Sequence, residues 1–404
     1  MSVGGNSGLS SVTEIYDPLS EASHEDPYPQ YAVLREEYPL YQIRKYGVWV
    51  LSRYADVRDT LRDWETFSSA QGVEMVEYVQ FFGDGSIQEL DPPHHDTVRR
   101  VIAPRFQAKT IKHLEEIIRE IAEHLIDRFV HLDHSDLAVD FTQALPIATI
   151  FRLLGVPEKD VSWAMECGLK MLRRPAGEAG PSPIAMQARA DLVDYLEEGV
   201  RQRRGARNYG EHNDVLSDIA VAIDAGIMSE GEIQGLALLL IAAGMETTSG
   251  LMGNMAYAVA KGEVSAQELI DPQTGVVTLN AIEEFLRHDS PAQWLARVTT
   301  RPVELHGTLL PKGSRVLVLF ASANRDHREF HRPDERILTR DQSRHISFGE
   351  GVHFCLGRPL ALLETRIGMT ALLHRVPSFV AAGAPVRYPS HVIRGFESVP
   401  VTLG

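Results

Sequence analysis

The chain has 404 residues, 44% hydrophobic and 24% charged, with a formal net charge of -15. This composition suits a globular protein with a large core and excludes a disordered or fibrous one, while the acidic balance argues against a general nucleic-acid surface. The two cysteines, Cys167 and Cys355, exclude a disulfide framework and any CxxC zinc or redox site, so a reducing compartment, the cytoplasm, is expected.

The start, "MSVGGNSGLSSVTE", lacks a basic segment followed by an apolar run, and no window reaches about 18 consecutive apolar residues. Residues 1–25 therefore read as a loose tail with neither an export signal nor a membrane anchor, and 26–404, which no linker divides, as one domain. "DPYPQYAVLREEYPLYQI" predicts a short helix leading to an extended segment, "YGVWVLSRY" a strand and "YADVRDTLRD" a helix. From "DPPHHDTVRRVIAPRF" to Gly262, helical periodicity dominates, with amphipathic patterns in "IKHLEEIIREIAEHLIDRF" and "AMQARADLVDYLEEGVRQRR". The Gly/Pro-rich "RRPAGEAGPSPI" between them predicts a mobile flap. Short strands are expected near 297–320 and in the last stretch of the chain. The fold class is mainly α with small antiparallel β-sheets.

One helix stands apart. Ser229 and Glu232 form an S-x-x-E capping box, and the apolar run that follows ends at Gly262, about 30 residues and about 45 Å later. Near its middle sit Ala243, Gly244, Glu246, Thr247 and Thr248. A mid-helix glycine costs roughly 1 kcal/mol relative to alanine, and a carboxylate among apolar turns costs more. Either Gly244 permits close packing and Glu246 meets an internal cation, or the helix opens over a ligand with an acid and an alcohol placed to pass protons. In "NAIEEFLRHDSP", Glu284 and Arg287 lie three apart on one helix face and can pair.

In "HISFGEGVHFCLGRPLALLETR", Pro359 marks the first turn of a helix. Cys355 then lies at or just before the helix N-terminus, where free N–H groups and the helix dipole favour thiolate. Gly349, Gly351 and Gly357 allow close approach by backbone or by a flat ligand. Cys167 has no such surroundings and reads as a small buried hydrophobe.

These residues carry a resemblance. "FGEGVHFCLG" (Phe348 to Gly357) is similar to the F-G-x-G-x-[RH]-x-C-x-G haem-ligand loop of the cytochrome P450 superfamily. "AGMETT" resembles its oxygen-activating segment, and Glu284-x-x-Arg287 its E-x-x-R pair. "DPPHHDTVRR" and "ASANRDHREFHRPDE" resemble two further stretches, in the same order along the chain. The resemblance implies the bacterial soluble cytochrome P450 fold, a triangular prism of helices around haem b, and a monooxygenase that uses O2 and electrons from NAD(P)H through an external redox partner. Cys355 would bind the iron, shielded by Phe348 and with Gly357 beside it, and the iron would be its one metal. His95, Arg99, Arg297 and His353 match propionate-binding positions. Glu284 and Arg287 would brace the loop from below. Ala243 and Gly244 would leave room for dioxygen, with Thr247 as hydrogen-bond donor and Glu246 as proton relay.

The same resemblance places Val73, Met75, Phe81, Phe82, Leu239, Gln293, Trp294, Leu295 and Phe396 at the substrate pocket, apolar and partly aromatic. The expected reaction is hydroxylation or O-demethylation of a small hydrophobic substrate, neutral aromatic compounds included, since position 71 is Gln where enzymes of aromatic acids need a cation; natural-product tailoring fits as well. The basic run "RRVIAPRFQAKTIKH" implies docking of a ferredoxin or flavodoxin, itself served by a reductase. No nucleic-acid or membrane partner and a monomeric state are expected. Two other classes compete: a non-catalytic haem-thiolate binder or sensor, and a non-haem metal protein using His327 and His331.

Overall fold

The computed structural model describes residues 14–75, 82–172, 181–205, 213–340 and 344–404. Its centre is the long helix: Glu230–Glu232 form a 3-10 turn and Ile233–Ala260 continue as one α-helix. The capping box forms, with the Glu232 carboxylate accepting the Ser229 N–H at 2.7 Å. This helix is apolar nearly all round because it is covered nearly all round, by helices Ala144–Leu154, Pro183–Gly205 and Arg358–Arg375 among others. By length and hydropathy Glu230–Ala260 would suffice to cross a membrane, but 78% of its apolar window is buried inside the protein.

Gly235 permits one close crossing. A Cβ there would lie 1.9 Å from the Asp84 carbonyl oxygen, so only glycine lets residues 83–85 pass over the helix. The chain then runs on through Ile87 and Gln88, which line the central cavity.

The largest sheet has five strands in the order Leu40–Ile43, Val48–Leu51, Arg315–Val318, Leu295–Thr299 and Phe67–Ser68. Its central pair, Val48–Leu51 and Arg315–Val318, is parallel, with Trp49 opposite Val316, which corrects the expectation of wholly antiparallel sheets. The whole helical body separates these two strands in sequence, so no hairpin dictates their direction. The sheet of His134–Asp136, Pro400–Leu403 and Phe379–Ala381 is antiparallel.

Residues 14–25, expected to be part of a loose tail, are folded onto the body. Tyr16 is 1% exposed and packs on Tyr31 with ring centroids 5.5 Å apart. Asp17 pairs with Lys45 at 3.1 Å, and Glu21–Glu25 form a helix. Tyr16, the Asp17–Lys45 pair and the contact of His24 with the Tyr388 carbonyl at 2.6 Å secure 14–25 to the body, a set of contacts too sparse along the sequence for periodicity to register. Most of the expected flap, 173–180, lies outside the described residues, and Pro183 and Ile184 already belong to the next helix.

His288, at the end of helix Leu279–His288, predicts a pH effect. Its Nε2 meets the Asp334 carbonyl at 3.0 Å while Nδ1 faces the Arg325 guanidinium at 3.3 Å, a pattern that only a neutral ring satisfies. Burial first, then Arg325 and Arg336, push its pKa down to about 3, against the weaker pull of Asp289. The unfolded chain takes up this proton below its ordinary value of about 6.5 and the folded one does not, so stability falls as pH drops from about 6.5 towards 3. His288→Gln should flatten this limb in urea titrations at pH 7 and pH 5. An unchanged difference between the two pH values would remove His288 as a cause.

Candidate active site

The cysteine loop is folded by its own backbone. The Cys355 N–H donates to the Phe348 carbonyl at 2.9 Å, and Gly349 and Gly351 take φ of +71° and +69°. A Cβ on Gly351 would approach the Leu61 carbonyl oxygen to 2.6 Å, so this glycine serves packing on helix Tyr54–Arg62 rather than a flat ligand. Pro359 lies in the first turn of Arg358–Arg375, as its position predicts. Burial pushes the Cys355 thiol up, and this outweighs the Gly357 and Arg358 amides that donate to the sulfur and the charges of Arg99 and Arg358. The amides at the helix terminus favour the thiolate, as the sequence predicts, while burial opposes them; a metal at the sulfur would tip the balance to thiolate.

Cys355 lines a cavity of about 1470 Å³, its opening included. Phe348, Gly357, His353, Arg99 and Arg297 share its walls with Cys355. Arg297 is 3% exposed, donates to the Ala296 carbonyl at 2.8 Å, and has its pKa pushed down to about 10 by burial despite the pull of Asp91. Arg99 donates to the Phe354 carbonyl at 2.7 Å. Behind them His95 is 1% exposed with its Nε2 buried and unpartnered, edge-on to the His353 ring at 4.6 Å. His353 is held neutral, its pKa pushed down to about 3 by burial and by Arg297, His95 and Arg99. His95 Nδ1 meets Asp96 at 2.8 Å, which leaves Arg99, Arg297 and the His95 Nε2 to serve a dianionic ligand. The residues present fit haem.

Across the cavity, Ala243, Gly244 and Thr247 line the facing wall. The helix here is an unbroken α-helix, so the structure corrects the alternative of a helix opened over a ligand. The Thr247 hydroxyl donates to the Ala243 carbonyl at 2.6 Å, one turn back. A Cβ on Gly244 would come within 3.0 Å of Ile150, so this glycine also lets helix Ala144–Leu154 approach. Glu246 faces a second pocket, with Tyr388, Ser249 and Lys170. Burial, and after it the Glu246 carboxylate, raise the Tyr388 hydroxyl well above its usual value.

Glu284 and Arg287 are a buried pair, 1% and 0% exposed, at 2.8 Å. Arg287 also donates to the carbonyls of Asn324, Pro333 and Glu335, and Glu284 accepts from the Ile337 N–H and Arg340.

The expected substrate pocket needs correction. Of its residues, only Leu239 and Leu295 line the cavity. Val73 and Met75 are buried, Trp294 is fully buried in a separate core with Tyr31 and Val50, and Phe396 packs on Tyr257. Gln293 bonds the Ser290 carbonyl at 2.6 Å. Phe82 packs against the main core, and Phe81 lies outside the described residues. Apolar side chains near a cavity mostly fill core, and their type does not say which. Residues missed from sequence include Gln88, Pro291, Ala292 and Phe320. Glu364, 3% exposed and also at the cavity, has its pKa raised well above the usual carboxylate range by burial, against the weaker pull of Thr149. A carboxyl inside "LALLE" was the signal that could have found it. His327 pairs with Glu36 at 3.2 Å, and among the described residues no group of three or more His, Cys, Asp and Glu side chains could hold a metal.

A thiol opposite an alcohol-bearing helix, in a cavity whose cations await a dianion, defines the class as haem-thiolate enzymes. The profile of the Cytochrome P450 family matches residues 276–379. The chain is 32% identical over 395 residues to the cytochrome P450 monooxygenase PikC of Streptomyces venezuelae, covering 93% of this chain and 91% of that one. It is 31% identical over 418 residues to 6-deoxyerythronolide B hydroxylase of Saccharopolyspora erythraea, covering 97% and 100%. The solved structure of the bacillaene polyketide synthase P450 PksS of Bacillus subtilis aligns with a TM-score of 0.85 at 30% identity, over 96% of this chain and 100% of that one. The chain belongs to the cytochrome P450 family. It is a monooxygenase of the P450 fold that binds thiolate-ligated haem and dioxygen and takes electrons from an external redox partner.

Proposed function

We propose that this enzyme hydroxylates or O-demethylates a neutral, largely apolar small molecule, and that it tailors a natural product. The carrying observation is the apolar part of the cavity lining that Thr247 shares. Ile87, Leu239, Leu240, Pro291, Ala292 and Leu295 present apolar surface, and Gln88 adds one neutral polar group. Such a wall rejects charge by desolvation and selects by shape. PksS, named for polyketide biosynthesis, and a structural neighbour described as a post-tailoring hydroxylase of himastatin biosynthesis support the tailoring setting over aromatic degradation.

In this reading Cys355 is the iron ligand, Phe348 covers the sulfur, and His95, Arg99, Arg297 and His353 hold the propionates. Bound haem supplies the activation of dioxygen. Thr247 turns its hydroxyl from the Ala243 carbonyl to donate into the cavity, and Glu246, one residue back, draws protons from its own pocket to resupply that hydroxyl. Glu284 and Arg287 act only by keeping the cysteine loop in place.

The test joins a spectrum to a coupling ratio. Reduced protein under carbon monoxide should show the Soret band of a thiolate ligand, and neutral polyketide lactones should shift the ferric spin state. Thr247→Ala should keep both responses but consume several-fold more reductant per product. Equal coupling would remove Thr247 from proton delivery, and a spectrum without the thiolate band would overturn the ligand assignment.

For the redox partner we propose an acidic ferredoxin or flavodoxin. Arg100, Lys109 and Lys112 are exposed, on segments that include Ala108–Ile111, which packs on the cysteine helix. Arg105 is not available, being bound to Asp218 at 2.5 Å. Reduction by such a partner should slow steeply with salt, because exposed charges are screened beyond about 10 Å at 0.1 M. A rate independent of salt would exclude this surface.

A further inference from the structure

Glu283 precedes the brace residue Glu284 on the same helix but faces elsewhere. Its Oε2 meets His345 Nε2 at 2.5 Å and its Oε1 meets Arg358 Nη2 at 2.5 Å. Those two residues bound the cysteine loop: His345 lies ahead of Phe348, and Arg358 opens the helix after Cys355. One carboxylate thus clasps both ends of the loop. The side chains of His345 and Glu283 are 3% and 18% exposed and that of Arg358 is 39% exposed, so the His345 arm of the clasp is sheltered from water and screening salt while the Arg358 arm is open to both.

Inside it, Phe348 is held from two sides. Its ring lies 5.8 Å from the His345 ring and 5.5 Å from the Arg358 guanidinium, within cation–π range. The Arg358 backbone N–H is one of two amides at the helix start that favour the charged form of the Cys355 sulfur. Fixing the Arg358 side chain therefore helps to fix the position of one of these amides beside the sulfur. Hydrogen bonds to a ligating sulfur withdraw the charge it can give to iron, and outer-shell partners of this kind set reduction potentials.

We infer that Glu283 is a positioning residue for the iron ligand: by clasping His345 and Arg358 it holds the Arg358 amide on the Cys355 sulfur and Phe348 over it, and so sets the ferric/ferrous equilibrium. This rests on Cys355 as the ligand, as proposed above.

The experiment is redox titration of haem-loaded wild type and Glu283→Asp, with resonance Raman of the iron–sulfur stretch. Aspartate keeps the charge and shortens the reach by one methylene, so a purely electrostatic role predicts no change. The clasp predicts a weaker amide donor, an equilibrium moved about tenfold towards ferric iron, 59 mV lower for one electron, and a stiffer iron–sulfur bond. Glu283→Gln should also lower the potential, although loss of a nearby negative charge alone would raise it. An unchanged potential in the first variant or a rise in the second overturns the inference. If neither variant retains haem, the milder His345→Gln must shift the potential in the same downward direction, and failure to do so overturns it as well. A wild-type carbon-monoxide complex without the thiolate band would instead refute the ligand assignment.

Discussion

Arg287→Ala should give a chain that retains little haem and melts far below the wild type. Arg287 is 0% exposed and grips both oxygens of Glu284, at 2.8 Å each. It also satisfies three carbonyls, of Asn324, Pro333 and Glu335, at 2.7–3.0 Å. Alanine leaves those carbonyls without this donor and leaves Glu284 with Arg340 at 3.0 Å as its remaining cation. Breaking a buried pair from one side costs about 3–5 kcal/mol, a large share of the roughly 5–15 kcal/mol that keeps a typical domain folded. Arg287→Lys should fall in the same direction, because one ammonium cannot replace a fork serving a carboxylate and three carbonyls. Thermal melts and haem-to-protein ratios decide the matter. A melting point within a few degrees of wild type for Arg287→Ala would mean that the brace carries little.

This pair also shows what a sequence conceals. Spacing alone makes Glu284 and Arg287 a surface bridge worth under about 1 kcal/mol, and their burial comes from a segment some forty residues later whose carbonyls cover Arg287. The long helix was legible because its cap, length and unbroken apolarity are all local. So was the cysteine loop, where Pro359 and the left-handed glycines fix the turn from within. The substrate wall was not. Leu239 and Leu295 line the cavity while Trp294, next to Leu295, is fully buried in another core. The strand sends neighbours to opposite faces, and no property of the side chains says which face meets a cavity and which meets protein. Parallel pairing of Val48–Leu51 with Arg315–Val318 was hidden for a similar reason, since strand direction is fixed by everything between them.

Arg297→Leu should have effects of opposite sign on the two forms of the protein. In the protein alone, Arg297 is a cation at 3% exposure whose one hydrogen bond among the described residues goes to its own neighbour, the Ala296 carbonyl. Burial lowers its pKa to about 10, against the pull of Asp91, so the charge is tolerated rather than welcomed. Replacing a buried ion with an apolar residue of similar volume is often neutral or stabilising, by about 1–4 kcal/mol. Haem-free Arg297→Leu, prepared by extraction, should therefore melt at or above haem-free wild type. With haem bound the balance reverses, because a propionate loses its buried partner. Truncating one side of such a pair costs about 2–5 kcal/mol, or roughly 30- to 5000-fold in affinity. Haem transfer to an excess of an acceptor globin, followed against the melting curves, separates the two effects. Equal losses in both forms would show that Arg297 supports the fold and does not hold the cofactor.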